Sequence, residues 1–337
     1  MTNDSLTAAD RLSSRAAAGW ISRRMQPDGS LQGAVSINDY YKTVAGLALA
    51  GSQRESECML NFVERRFLRD DGDLDGAGCT WFEQFRIYPH AWLLMAAILR
   101  ARFDLVHRWS DFLERFQDPD NGGFYGTLEQ QQVRGEQEFM STGVAAIALL
   151  WAGRTEAAVR TGHWMRQLLE SQPDISRQLF FVWHRQNGLV TSFPEEKATE
   201  YRVNCAATAQ WYFQYGIGAA LSAGLFGCTR DRSWLALGRR FLEAAKYCRD
   251  DVFRQAASGK IGWGAAWMYR ITRDPADRAI AEAVHENLRE SQHSGGGWRA
   301  DTIYTRDPGP QESGQMELTS EFAALQSWME DALGLST

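Results

Sequence analysis

The sequence has no Cys-x-x-Cys pair, no long run of basic residues, no low-complexity linker and no apolar leader. Each absence removes a class of protein. The five cysteines (Cys58, Cys79, Cys205, Cys228, Cys248) are odd in number and scattered, so they read as reduced thiols rather than a disulfide framework. No Lys/Arg cluster is long enough to track a phosphate backbone, and pairs such as Arg239-Arg240 sit close to acidic residues. With a net charge of -6, nucleic acid is not an expected partner. The opening MTNDSLTAADRLSSRAAAGW carries acidic residues where a secretory leader is basic, so a cytoplasmic location is expected. Without a linker, one domain over 1–337 is expected, although the chain is longer than a typical domain. Val203 to Thr229 has no charged residue and is long enough to cross a bilayer. Asn204, Thr208, Gln210, Gln214 and four glycines interrupt it, which favours a helix buried among helices over a stable membrane span.

What is abundant is aromatic and repeated. Thirteen tryptophans and 12% aromatic residues supply either a large core or an aromatic-lined cavity. Six turns recur: QPDGSLQG (Gln26 to Gly33), RDDGDLDG (Arg69 to Gly76), DPDNGGFYG (Asp118 to Gly126), RQNGLVTSF (Arg185 to Phe193), AASGKIGW (Ala256 to Trp263) and HSGGGWRAD (His293 to Asp301). An amphipathic segment precedes each turn and a charge-poor segment follows it. In the third amphipathic segment Leu105, Trp109, Phe112 and Phe116 recur at spacings of three and four, so one face is buried and the other wet. Ala91 to Leu99 is apolar all round and must be buried. Pro89 is expected to open that helix, since the first helical position tolerates proline. Six outer and six inner helices in alternation with short connections predict an all-α fold, an (α/α)6 toroid. The glycine turns then share one end, where inner-helix N-termini surround a cavity. LFFVWHR-QNG-LVTSF, in the 172–203 connection, predicts a small β-hairpin over that mouth, and Asp301 to Gln315 predicts a long loop shaping access to it.

RRMQPDGSLQG followed by DYYKTVAGLALAG, with DPDNGGFYG and GGGWRAD, resembles the repeats of terpenoid cyclase and protein prenyltransferase toroids, the prenyltransferase and squalene-cyclase repeat superfamily. The resemblance is one of repeat style over nearly the whole chain. It implies an enzyme that folds a bulky, mostly apolar isoprenoid- or polyketide-type substrate in a central aromatic cavity and cyclises or isomerises it. Family motifs are incomplete here. Asp73-Leu74-Asp75-Gly76 lacks the last aspartate of a DxDD acid, and no Asp-x-Cys zinc pair occurs; no metal and no cofactor are expected. A second resemblance is to six-hairpin carbohydrate enzymes (sugar epimerases, glycoside hydrolases and lyases), which use aromatic-lined toroids with NGG-type turns.

Charged or polar groups at inner-helix starts are Asp39 and Lys42, Glu83 and His90, Glu138, Glu200 to Asn204, Lys260, and Glu317 with Glu321. Glu83 is the expected acid, because Trp81, Phe82 and Phe85 flank it and an aromatic, dry setting raises a carboxyl pKa; the alternative is a cap on the next helix or a salt bridge to Arg86. His90 is expected as a proton shuttle or a core histidine, Asp39 as a catalytic carboxylate or an N-cap, and Tyr88 as their phenolic partner. Substrate contacts are expected from Tyr40, Tyr41, Trp81, Phe139, Trp211, Tyr215, Trp263 and Trp267, with Glu200, Tyr201 and Arg202 at a polar end.

Overall fold

The alternation of amphipathic and charge-poor segments becomes two concentric rings. The computed structural model describes residues 12–299 and 311–335. In chain order the ring helices are α1 (Ser13–Ser22), α2 (Thr43–Leu49), α3 (Gln53–Phe67), α4 (Ile87–Leu99), α5 (Phe103–Glu114), α6 (Phe139–Trp151), α7 (Thr155–Glu170), α8 (Phe213–Thr229), α9 (Ser233–Ala245), α10 (Gly259–Thr272), α11 (Pro275–Ser291) and α12 (Gln311–Leu333). Odd numbers are outer and even numbers inner. Each inner helix packs on the next and α12 returns to α2, while each outer helix packs on the inner helix before it and α1 packs on α12. This is the (α/α)6 toroid expected from the sequence. No helix among the described residues is long and apolar enough to cross a membrane; α8, the charge-free segment, is buried in the inner ring.

The periodicity explains which face is buried. On α5, Leu105, Trp109 and Phe112 are buried while Asp104 and Asp111 face solvent. On α4 every residue from Ile87 to Ala97 is buried. Pro89 is the third residue of α4 rather than the first, still within the turn whose N–H groups have no helical partner. Each inner helix is followed by a left-handed residue, namely Gly51, Ala101, Gly153, Arg230, Arg273 and Gly334, which stops the helix and starts the tight return. At the other end Gly29 (φ 92°) and Gly296 (φ 95°) seat their turns on the next outer helix. A Cβ would stand 2.3 Å from the Cys58 carbonyl oxygen at Gly29, and 2.2 Å from that of Ala16 at Gly296, where the ring closes on α1.

Two expected elements differ in detail. The fifth turn is not a glycine turn: Ala256–Ser258 is a 3-10 turn and α10 begins at Gly259, so Gly259 and Gly262 lie on the helix and serve packing, a Cβ on them standing 2.7 Å from Leu325 and 2.5 Å from Met329. A Cβ on Gly216 would lie 1.9 Å from the Lys260 carbonyl oxygen, and one on Gly264 would lie 2.3 Å from that of Gly216. The α8–α10 crossing is therefore backbone against backbone. Gly216→Ala is expected to cost about 1–3 kcal/mol by overpacking, read as a lower urea midpoint; an unchanged midpoint would contradict this packing. The hairpin expected in 172–203 is present as β3 (Val182–His184) and β4 (Gly188–Leu189), but β3 also pairs antiparallel with β1 (Glu136–Glu138). A second pair joins β2 (Gln178–Phe180) to β5 (Arg202–Asn204). The expected 301–315 loop falls mostly outside the described residues; from Gln311 onward the chain is already α12.

Candidate functional site

The inner-helix N-termini meet at the glycine-turn end, and there β1 lies across the opening. Successive strand residues point to opposite faces, so Glu-Gln-Glu sorts itself. Gln137 is buried, accepting at Oε1 from Asn121 Nδ2 (3.0 Å) and Trp164 Nε1 (3.1 Å). Glu136 and Glu138 therefore share the other face, which lines a cavity of about 210 Å³. Aromatic walls come from Phe85, Phe181, Tyr201 and Trp211, and polar ones from Gln130, Glu200 and Gln214, with Lys197 at the rim. Asp118 holds the surround in place. It is fully buried, accepts from Tyr125, from Arg134 beyond the short helix Leu128–Val133, and from Arg185 in the hairpin. Burial would raise its pKa, but these partners and the Asp120 and Asn121 amides lower it to about 2.

Glu138 is the N-cap of α6, accepting from the Met140 amide (2.7 Å) and the Ser141 amide (2.6 Å). Desolvation nonetheless raises its pKa above the ordinary value. Tyr201 OH donates to Glu136 Oε2 across 3.0 Å and orients it; burial and that carboxylate push the phenol up to about 12. Gln84 Nε2 reaches Glu200 Oε2 at 3.4 Å. Trp211 stacks on Phe181, with ring centroids 6.4 Å apart at 23°.

Beside this cavity lies a charged cluster. Lys42 donates to Glu317 (2.8 Å) and, in a shorter contact, to Glu321; Lys260 donates to the other oxygen of Glu321. Tyr41 OH donates to Glu317 at 2.6 Å, and Lys42 lies over the Tyr41 and Tyr88 rings. Further down, Trp92, Trp151, Trp263, Trp267 and Trp328 come from four inner helices and contact one another, Trp263 stacking on Trp328 at 4.7 Å. Side chains from four sides of a ring can meet only in its bore, so these tryptophans occupy the bore below the mouth cavity.

Of the residues expected from sequence, Glu200, Tyr201 and Trp211 line the cavity, and Tyr41 and Tyr88 belong to the charged cluster. The others lie elsewhere. The Glu83 side chain is 77% exposed and chelates Arg86 Nη2 at 2.6 and 2.8 Å, so it is not in a dry setting. His90 is buried between the rings, stacked on Phe112 (4.2 Å) with Nδ1 2.8 Å from the Arg86 carbonyl and Nε2 3.2 Å from Asp73. Asp39 closes a capping box with Ser36. Tyr40 packs on Phe62 and Phe67, and Phe139 on Trp164 and Phe241, both away from the bore. Trp81 donates to Asn38 at 3.2 Å and rests on Tyr41. Arg202 pairs with Glu195 and Gln178. Tyr215 OH faces Cys248 (3.4 Å) and Cys205 (3.7 Å). Trp263 and Trp267 are part of the tryptophan plug.

Sequence reading missed Glu136, Gln214, Lys197 and Phe181. Glu-x-Glu before a helix start is the signal for Glu136, legible once a strand is placed there. Gln214 is an amide in an otherwise apolar helix. Among the described residues no group of three or more His, Cys, Asp or Glu side chains is arranged to hold a metal ion.

No protein-family model matches the sequence, and no curated protein matches it. Solved structures do match in fold. A D-mannose isomerase aligns at TM-score 0.67 and 12% identity, over 96% of this chain and 99% of that one. A glycoside hydrolase family 76 α-mannanase from Bacteroides thetaiotaomicron aligns at 0.64 and 12%, over 98% and 97%. The unsaturated glucuronyl hydrolase of Bacillus sp. GL1 aligns at 0.63 and 13%, over 96% and 96%. The shared feature is the toroid. These neighbours are carbohydrate-active, and one mannanase of this fold, from Salegentibacter, is seen as an inactive double-aspartate variant with α-1,6-mannotetrose. That corrects the resemblance to terpenoid cyclases and prenyltransferases, and with it the expectation of cyclisation of an apolar substrate. The repeated glycine turn and apolar helix are what any ring of α-hairpins requires, so repeat style does not separate the two groups. Cavity polarity does: three carboxylates, three glutamines and a rim lysine suit a polar ligand.

Proposed function

We propose that the chain is a carbohydrate-active enzyme that cleaves a glycosidic bond in the mouth cavity, with Glu138 as general acid and Glu136 as general base. The observation that carries this reading is the pair of carboxylates on one face of β1 inside an aromatic cavity. Residues two apart along a strand project from the same face with their Cα atoms about 6.6 Å apart, so both side chains can reach one ligand, one carboxyl protonating the leaving oxygen while the other activates water. Burial raises the Glu138 pKa against the pull of the Met140 and Ser141 amides, the direction a general acid needs, and Trp211 supplies a flat apolar face for a sugar ring. The cavity, about 210 Å³, suits one ring at a time, with the rest of a saccharide at the rim near Lys197 and Glu200. Five free thiols fit a cytoplasmic setting for this reaction.

The test is reducing-end release from a panel of α-1,6-manno-, gluco-, galacto- and uronate-oligosaccharides. Cleavage of at least one, with inversion at the anomeric carbon by proton NMR, is expected. No cleavage across the panel, or interconversion of free sugars without bond cleavage, would overturn the assignment.

A further inference from the structure

Gln214 is the second residue of α8 and its neighbours are already committed. Phe213 lies under Lys260 Nζ at 5.2 Å, and Tyr215 faces the Cys205 and Cys248 thiols. Between them the Gln214 side chain lines the mouth cavity, is fully buried, and has no hydrogen-bond partner at either Nε2 or Oε1. Native folds rarely leave a buried amide unpaired. The rest of α8, running GIGAALSAGLFG after Tyr215, is otherwise apolar but for Ser222, so an apolar side chain would suit this position too. An amide kept empty against a cavity is explained by a ligand that fills it.

We propose that Gln214 is a specificity-determining residue that binds two adjacent hydroxyl groups of a sugar ring, the ring lying against Trp211. The proposal rests on the saccharide reading above. The amide offers an acceptor oxygen and a donor NH₂ side by side. Two neighbouring hydroxyls, one donating and one accepting, satisfy both at once, whereas a lone hydroxyl or carboxylate satisfies only one. Trp211 and Gln214 both flank the start of α8, and β1 with Glu138 lies across the same cavity, so a diol held at Gln214 presents the remainder of the ring to the carboxylates. A ligand lacking one hydroxyl leaves half of the amide unpaired, which is how a buried polar site rejects an analogue.

The experiment is calorimetric titration of the full chain with the methyl α-glycosides of mannose, glucose, galactose and glucuronic acid, followed by the monodeoxy analogues of whichever binds. Two adjacent deoxy positions are expected each to weaken binding roughly 10- to 100-fold. Gln214→Leu is expected to weaken the parent sugar by the same factor, to lose discrimination between parent and those deoxy analogues, and to raise the thermal midpoint by removing an unpaired amide. If no glycoside binds the wild type, this proposal and the saccharide reading fall together. If a glycoside binds but no adjacent pair of hydroxyls matters, or Gln214→Leu keeps the discrimination, the role of Gln214 is overturned while the saccharide reading stands. Should the leucine variant not fold, the deoxy series on the wild type decides the matter alone.

Discussion

Glu321→Gln is expected to destabilise the ring by about 3–5 kcal/mol at neutral pH, the cost of leaving a buried charge without its partner. Glu321 is the sole carboxylate bonded to Lys260 among the described residues and shares Lys42 with Glu317. Lys42 sits at the N-cap of α2, Lys260 in α10 and both glutamates in α12, so the cluster fastens the last hairpins to the first inner helix, where the ring closes and no loop joins them. Burial alone would raise the Glu321 pKa, but Lys260 and Lys42 bring it to about 2. Burial would lower Lys42, yet Glu317 and Glu321 hold it well above the ordinary lysine value. The folded pKa of Glu321 lies below its unfolded value, so the stabilisation is present above about pH 4.5 and disappears as the pH falls towards 2. Urea midpoints across that range check it: the wild type should lose stability steeply, and the Gln variant much less. Pairing Glu321→Leu with Lys260→Met should restore most of the loss, because an apolar pair removes the uncompensated charge. Additive losses in the double variant would show that the two do not act as a pair.

Glu138→Gln is expected to lower kcat by about 10²–10⁴-fold with little change in KM, the range for removing a general acid. Glutamine keeps an acceptor for one of the two α6 amides and turns its NH₂ towards the other, so a urea midpoint measured alongside separates a lost cap from a lost acid. Because burial raises the Glu138 pKa, its protonated form persists to higher pH than an ordinary glutamate, and activity should fall as the pH rises through that value. The Gln variant has no proton to lose and should show no such alkaline limb in its residual activity. A variant with wild-type kcat, or an unchanged alkaline limb, would remove Glu138 from the reaction.

The ring was legible because its signals are local. Leu105, Trp109 and Phe112 report one wet and one dry face on α5, Ala91 to Leu99 reports none wet, and Gly51 and Gly153 mark two of the tight returns. The site was legible only in part, because which way a residue faces at an inner-helix start is decided by its neighbours in space. Asp39 and His90 sit at such starts, yet a capping box and a stack on Phe112 hold them elsewhere. Glu83 sits among aromatics in sequence but turns outward to Arg86. The tryptophans mark a ring interior without saying whether it is open: Trp263 and Trp267 meet Trp328 and close it, while Trp211 stays at the mouth. Glu136 was hidden because Glu-Gln-Glu has no strand propensity; it is a strand only through its pairing with β3.

A crystal structure of Glu138→Gln soaked with the oligosaccharide that the wild type cleaves tests the mouth cavity as the place of cleavage. A sugar ring is expected against Trp211, with a glycosidic oxygen beside residue 138 and a water between Glu136 and the anomeric carbon. Sugar density bound outside the mouth cavity, with the cavity between β1 and α8 filled only by water, would contradict it.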